Sequence, residues 1–350
     1  MFQRNRKFVH SELAKVLGEG VLTRRKWFDD LKIGHRNLTA ALQLLEDYFD
    51  RGVDTNLIFL IGMTGVGKTS LAQNALTEAL VSMWAEESSP NDCPVLFLVV
   101  RPSDQSKFSW GDFYRDISMA GSGMPAESIR ETLVKDGIVR FQSGRKLGLG
   151  ALRDGVEKMA LRRRLRALLL DEVHRFLRFE RTSVMDTVKA LADDHHLKIL
   201  LIGCYDLLPM ATLYAEATRR TEVVPFFCYQ TGVASDKAEF RLVLERFMSN
   251  WPCTLIPNFI ASIDELMEAT MGGIGQLKGI LSHFLRLQLR NPEEIWTPDM
   301  FGKSLKAEAL AEPLRAENSE GETALRARFA VPNRFATKKG LGEIAAKLSS

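Results

Sequence analysis

The chain has 350 residues, of which 45% are apolar and 26% charged. Those values exclude bulk disorder and fibrous repeats, and the length suits about two domains, or one large domain with appendages. Lys and Arg number 47 against 44 Asp and Glu, a net charge of +3, so any nucleic-acid contact has to come from local basic clusters. The cysteines Cys93, Cys204, Cys228 and Cys253 form no CxxC pair and read as reduced thiols of a cytosolic protein. Apolar runs such as 57–61 and 95–100 fall far below the roughly 20 residues of a membrane span. The basic start at Arg4, Arg6 and Lys7 lacks the apolar stretch of a signal peptide.

Residues 1–50 read as a basic, then helical, N-terminal extension. Leu38, Leu42, Leu45, Tyr48 and Phe49 recur at helical spacing. A buried strand is expected over 56–62 (NLIFLIG), then a glycine-rich loop, a helix over 70–84 and a polar loop over 86–94. The run 95–100 (VLFLVV) is a second strand. Residues 102–150 are mixed, with a helix expected around 126–134 and with Phe108, Trp110, Phe113 and Tyr114 read as core. A basic helix follows over 151–166, a third strand over 167–170 ending in Asp171-Glu172, and a helix over 184–193. Strands four and five are expected over 198–203 (KILLIG) and 223–227. From Asp236 to about 310 the pattern is helical without further strands, and from 311 it is a charged tail. Alternation of strand and helix over 51–235 predicts an α/β core with a parallel sheet, and 236–310 a small helical domain appended to it.

Gly62-Met63-Thr64-Gly65-Val66-Gly67-Lys68-Thr69 fits G-x-x-x-x-G-K-[ST] between an expected strand and an expected helix. Glycines let the backbone close around phosphate oxygens with successive N–H groups pointing inward, and the following helix adds its positive end. Gly62, Thr64, Gly65, Val66, Gly67, Lys68, Thr69 and Ser70 are therefore the candidate ATP-binding residues. Lys68 serves as a point charge on the β/γ-phosphates and Thr69 as a ligand of Mg²⁺. Acids at the carboxyl end of a parallel strand sit where open sheets bind ligands. Asp171 is thus the candidate to hold Mg²⁺ with Thr69, and Glu172 the candidate to polarise the attacking water. His174 stands two residues on, as a neighbour of the acids.

This phosphate loop, the Asp-Glu after ALLL and the helical segment beyond resemble the AAA+ ATPases over about residues 35–290. The strings Asp171-Glu172-Val173-His174, IGCYDLLPM at 202–210 and Arg219-Arg220-Thr221-Glu222-Val223-Val224 are similar to one branch, the TnsC/TniB-type transposition regulators. The resemblance implies a P-loop AAA+ domain with a parallel five-stranded sheet flanked by helices, a small helical lid and a flexible C-terminal tail. Strand four of the family ends in a polar sensor residue. Cys204 stands where Ser, Thr or Asn is more usual, which leaves Cys204, Tyr205 or Asp206 for that role. Arg219 or Arg220 matches the arginine that reaches a neighbouring subunit's nucleotide, and Lys278 the basic lid residue that touches it. The family further implies assembly on duplex DNA with ATP, head to tail, as a ring or a filament, with transposase subunits and a TniQ-type target selector as partners, in a bacterial cytoplasm and away from membranes.

The densest basic stretch is 145–166, with eight Lys or Arg against two acids. Arg145, Lys146, Arg162 and Arg163 in it, and Lys107 after strand two, are the candidate DNA contacts. Such contacts go to phosphates and tolerate any sequence. Two rival readings remain: a helicase-loader or initiator-type ATPase, and a nucleotide-stabilised scaffold with little turnover.

Overall fold

The computed structural model describes residues 3–5, 11–50, 52–102, 108–122, 132–135, 138–141, 148–178, 181–194, 197–217, 220–291, 293, 295–308 and 312–329. Strand β1 (Gln3–Asn5) and helices α1 (Ser11–Leu17), α2 (Val21–Asp29) and α3 (Arg36–Phe49) lead into β2 (Leu57–Ile61). The loop helix then runs as α4 (Lys68–Ser70), a π-helical turn over Leu71–Leu76 and α5 (Thr77–Met83). Next come β3 (Val95–Val99), α6 (Trp110–Ser122), the hairpin β4 (Thr132–Lys135) and β5 (Ile138–Phe141), α7 (Leu149–Arg162) and β6 (Ala167–Asp171). Helix α8 (Arg181–Asp194), β7 (Lys198–Gly203), α9 (Leu208–Ala217) and β8 (Thr221–Pro225) complete the core. The lid holds α10 (Ala234–Ser249), β9 (Leu255–Pro257), α11 (Ile263–Thr270), α12 (Ile274–Arg290) and α13 (Pro298–Glu308). Helix α14 (Glu312–Phe329) follows.

The main sheet has five parallel strands in the order β3-β6-β7-β2-β8. Strands β2, β6 and β7 are almost wholly buried, as the unbroken apolar runs require of strands covered on both faces. The chain leaves β2 for the far edge and works back until β7 pairs with β2 on one side, while β8 pairs on the other. Order therefore reverses at β2, and the carboxyl ends of β2, β6 and β7 share one rim of the sheet. Open α/β sheets bind ligands at such a reversal.

A second apolar cluster builds the lid around Phe240, Phe247, Trp251, Phe259, Leu277 and Phe284. Phe28 of α2 belongs to it, with ring centroids 5.7 Å from Phe247 and 5.0 Å from Trp251. Gln288 satisfies the buried polar groups there: it accepts from the Trp251 indole at 2.8 Å and donates to the Leu255 carbonyl at 2.8 Å.

Four expectations change. First, a helix was expected to reach Val134, but residues 132–135 and 138–141 form an antiparallel hairpin. They flank Asp136-Gly137, a two-residue hairpin sequence that outweighs the weak helical spacing. Residues 126–131 lie outside the described ones. Helix α6 instead lies upstream, with Phe113 and Tyr114 buried as expected of core aromatics. Second, the helix expected to run to Arg166 stops at Arg162, because Arg164 turns left-handed (φ 49°). Leu165 N–H then bonds the Ala160 carbonyl and Arg164 N–H the Leu161 carbonyl, a Schellman closure without its usual glycine. Third, the segment beyond Asp236 does contain a strand, β9, which pairs antiparallel with β1; three residues are too few for a legible period. Fourth, the tail expected from 311 opens as α14, whose Leu325 is fully buried against the core.

Because Phe28 is fully buried between lid aromatics, Phe28→Ala is expected to cost about 3–5 kcal/mol. Denaturant unfolding measures it; a loss below 1 kcal/mol means that α2 is not part of the lid core.

Candidate nucleotide site

Past Ile61 the chain cannot widen. A Cβ at Gly62 would lie 2.5 Å from the Phe226 carbonyl oxygen, so only glycine passes between β2 and the residue after β8. Gly65 (φ 75°) and Gly67 (φ 117°) then take backbone angles that L side chains resist. Lys68, the first residue of α4, is buried, and its ammonium donates to the Gly62 and Met63 carbonyls at 2.8 Å each. Burial pulls its pKa below the ordinary lysine value, against the upward pull of Cys204, Asp171 and other acidic neighbours.

Thr69 Oγ1 donates to Asp171 Oδ2 at 2.6 Å, across 102 residues of sequence. Asp171 is 3% exposed, and its other oxygen accepts from the Glu172 amide at 2.8 Å. Glu172 has φ 61°, a strained left-handed conformation for a residue with a side chain. Its carboxylate is 39% exposed at the rim, 3.5 Å from His174 Nδ1 and 3.7 Å from Arg175. The exposed Thr69 hydroxyl and the buried Asp171 carboxylate are hard oxygen donors suited to Mg²⁺, and a half-exposed carboxylate beside them can take a proton from water. No cluster of three or more His, Cys, Asp or Glu able to hold a metal occurs among the described residues.

Of the three sensor candidates only Cys204 touches the loop: its Sγ lies 2.9 Å from Thr64 Oγ1. Tyr205 turns its hydroxyl the other way, to Glu322 of α14 at 2.6 Å, and Asp206 is exposed. Lys278 is half-buried at the edge of the site, and its ammonium donates to the Asp29 and Leu31 carbonyls at 2.5 and 2.7 Å. The lid side chain directly over the loop is Gln276, whose Nε2 donates to the Thr64 carbonyl at 3.1 Å. Gly275 allows this approach, since a Cβ there would meet the Gly65 carbonyl oxygen at 2.1 Å.

Beside the loop lies a cavity of about 260 Å³ between the 31–38 segment, the loop helix and the lid. Leu31, Ile33, Leu38, Val66, Phe247 and Ile274 give it apolar walls, and His35, Ser70, Asn74 and Lys278 its polar points. Sequence reasoning missed Leu31, Ile33, His35, Ile274 and Gln276. The one legible sign was His35 at the start of an amphipathic helix: its Nδ1 accepts from Leu38 N–H at 3.4 Å and lies 3.1 Å from the Tyr229 hydroxyl.

Arg220 lies at the opposite rim. It precedes β8, and its side chain meets Asp54 at 3.0 Å and Asp193 at 3.9 Å. Arg162 and Arg163 also lie there, just before β6, with Arg162 exposed. Arg219, Lys107, Arg145 and Lys146 lie outside the described residues.

Residues 51–211 match the protein family described as an AAA domain. The sheet order, the phosphate loop and the Asp171-Glu172 pair at its rim are consistent with a P-loop domain of the AAA+ type over those residues. Among solved structures the chain is similar to the ORC1 protein of Aeropyrum pernix in complex with DNA, with TM-score 0.52 and 17% identity over 81% of this chain and 69% of that one. It is also similar to the Walker-type ATPase PABY2304 of Pyrococcus abyssi (TM-score 0.49, 16% identity, 87% and 80% of the two chains). A third is the RuvB Holliday junction branch migration motor of Thermotoga maritima (TM-score 0.39, 16% identity, 91% and 82%). No curated protein matches the sequence. At such identities the ORC1 likeness speaks for the fold alone.

Burial, with Arg246 and Arg36 nearby, lowers His35 from 6.5 to about 4. The unfolded chain takes up the proton below pH 6.5 while the folded chain refuses it until about pH 4, so this group's stabilisation is intact above 6.5 and lost as pH falls to 4. Over that window wild type is expected to lose up to about 3 kcal/mol more than His35→Gln. Unfolding at pH 4.5 and 7 measures it, and parallel losses in both proteins would refute it.

Proposed function

We propose that the protein is an ATP-dependent, DNA-binding AAA+ regulator of transposition. In this reading it assembles along duplex DNA and links a TniQ-type target selector to transposase subunits. The observation that carries the ATPase part is the Thr69–Asp171 pair, 2.6 Å apart, with Glu172 beside it at the sheet rim. ATP fits the loop: glycine-only backbone at 65 and 67, a buried lysine, and an apolar cavity adjoining Gly67 for a base. Thr69 and Asp171 would hold Mg²⁺, which neutralises charge developing on the phosphates. Lys68 binds the phosphates, and Glu172 orients and deprotonates the attacking water. Its left-handed backbone holds the carboxylate out at the rim rather than along the strand.

Assembly follows from the two rims. The nucleotide residues occupy the carboxyl rim, while Arg220 occupies the amino rim of the same sheet. Arg220, or Arg219 before it, would then serve a neighbour's site in a head-to-tail contact, closing into a ring or running on as a filament. Arg162, Arg163, Arg145, Lys146 and Lys107 are the proposed phosphate contacts on DNA. Transposition as the process rests on the strings at 171–174, 202–210 and 219–224. An initiator-type role shares the fold with ORC1; dependence of DNA-stimulated turnover on a cognate transposase separates the two.

Lys68→Ala is expected to abolish ATP binding and ATP-dependent assembly on duplex DNA together. Negative-stain imaging with a non-hydrolysable ATP analogue reads this out, and assembly at the wild-type level would sink the site. Glu172→Gln is expected to bind ATP but to cut phosphate release about 10²–10⁴-fold, so that its oligomers on DNA outlast those of wild type. Equal lifetimes would remove Glu172 from water activation.

A further inference from the structure

Helix α14 lies outside the residues that match the AAA domain, yet it grips the point where core and lid join. The connector between them, 226–233, leaves β8 beside the phosphate loop and enters α10. At its centre, both main-chain groups of Cys228 are taken by α14. Its N–H donates to Glu322 Oε1 at 3.2 Å, and its carbonyl accepts from Arg326 at 2.5 Å. Glu322 and Arg326 pair with each other at 2.6 Å, and Arg326 lies 4.5 Å over the Phe227 ring. The second Glu322 oxygen accepts from the Tyr205 hydroxyl, one residue after the Cys204 that touches the phosphate loop. Gly321 packs so closely on the Tyr205 ring that a Cβ would lie 2.3 Å from its atoms. Arg315, one end of the helix, donates to the Glu268 carbonyl in the lid at 3.3 Å.

The connector is in turn bonded to the lid turn that faces the phosphate loop. Tyr229 N–H donates to the Gly272 carbonyl at 3.1 Å, and Gly272 has no room for a Cβ against Tyr229. Three residues on, Gly275 and Gln276 rest on Gly65 and Thr64. A chain of direct contacts therefore runs from Glu322 to the loop along two routes, through Tyr205 and through the connector. The grip is shallow: a cavity of about 520 Å³ lies between α14, the connector and α11. Leu325 is the one fully buried apolar side chain of α14 among the described residues. Elements held this way open at low free energy.

We propose that α14 is a releasable strap and Glu322 its positioning residue: docked on Tyr205 and Cys228, it keeps the lid seated on the phosphate loop and slows the departure of bound nucleotide. The inference rests on the nucleotide reading of the site and not on hydrolysis, DNA or transposition. The test is stopped-flow release of a fluorescent ADP from the full chain. Glu322→Ala and Gly321→Leu are expected to release ADP about tenfold faster, the worth of one net hydrogen bond. Glu322→Gln, which keeps one acceptor, is expected to fall between them and wild type, and Glu317→Ala, on the exposed face of the same helix, to match wild type. Hydrogen exchange on wild type covers the case of a misfolded variant: amides of 312–329 and 227–230 are expected to gain protection when ADP binds. Release within twofold of wild type in both disrupted variants, or exchange indifferent to ADP, overturns the strap. Absence of ADP binding by wild type overturns the nucleotide reading instead.

Discussion

The hydrogen bond between Thr69 and Asp171 is the constraint around which the rest is arranged. Asp171 is a carboxylate at the end of a wholly buried strand, and an unsatisfied charge there would cost several kcal/mol. Its two oxygens are met by the Thr69 hydroxyl and the Glu172 amide. Meeting the first demands that the phosphate-loop helix and β6 share a rim, which the strand order supplies by seating β7 between β2 and β6. Meeting the second turns Glu172 into the left-handed region. The local strain and the global topology are thus two consequences of satisfying one buried acid.

The same sheet gives the molecule a direction. Every strand is parallel, so all carboxyl ends lie at one rim and all amino ends at the other. Gly62 and Cys204 follow strand ends and Asp171 ends its strand at the first; Arg166, Lys198 and Arg220 precede or begin strands at the second. The phosphate loop and Asp171 thus stand at one rim and Arg220 at the other, and Gln276 of α12 covers the loop at the first.

Reading the sequence recovered what is local and apolar. Strands β2, β6 and β7 are apolar runs with no alternative to burial, whereas β8, with Thr221 and Glu222 in it, lies at 221–225 rather than 223–227; the phosphate loop is set by glycines whose backbone angles no other residue takes easily. The acids after ALLL were legible because a strand end in an open sheet is a known address. What escaped was assembled from distant pieces. Leu31 and Ile33 look like ordinary apolar residues until Ile274 and Phe247 arrive from the lid to close a cavity with them. Gln276 carries no charge and no motif, yet it reaches the loop where the basic Lys278, two residues on, spends its ammonium on the main chain at Asp29 and Leu31. Residues 311–329 read as a tail because their charge hides one buried leucine and the Glu322–Arg326 pair, whose partners Tyr205 and Cys228 only the folded core provides.

Part of the basic charge counted in the sequence is taken up within the chain. The basic lead-in includes Arg24, buried and bonded to the Pro252 carbonyl at 2.7 Å, Lys32 bonded to Asn74 at 2.8 Å, and Arg36 paired with Asp236. In the 145–166 cluster Arg153 pairs with Glu157, Arg164 with Asp92 and Arg166 with Glu87. Arg36, Arg153, Arg164 and Arg166 are thus partly neutralised by carboxylates of the chain, while Arg24 and Lys32 meet neutral oxygens. A polyanion meeting these residues has to displace or share a carboxylate, and surface pairs of this kind are worth at most about 1 kcal/mol each. The raw count of basic residues therefore overstates the charge left free at the surface. Arg220 is held in the same way at the amino rim, by Asp54 and Asp193.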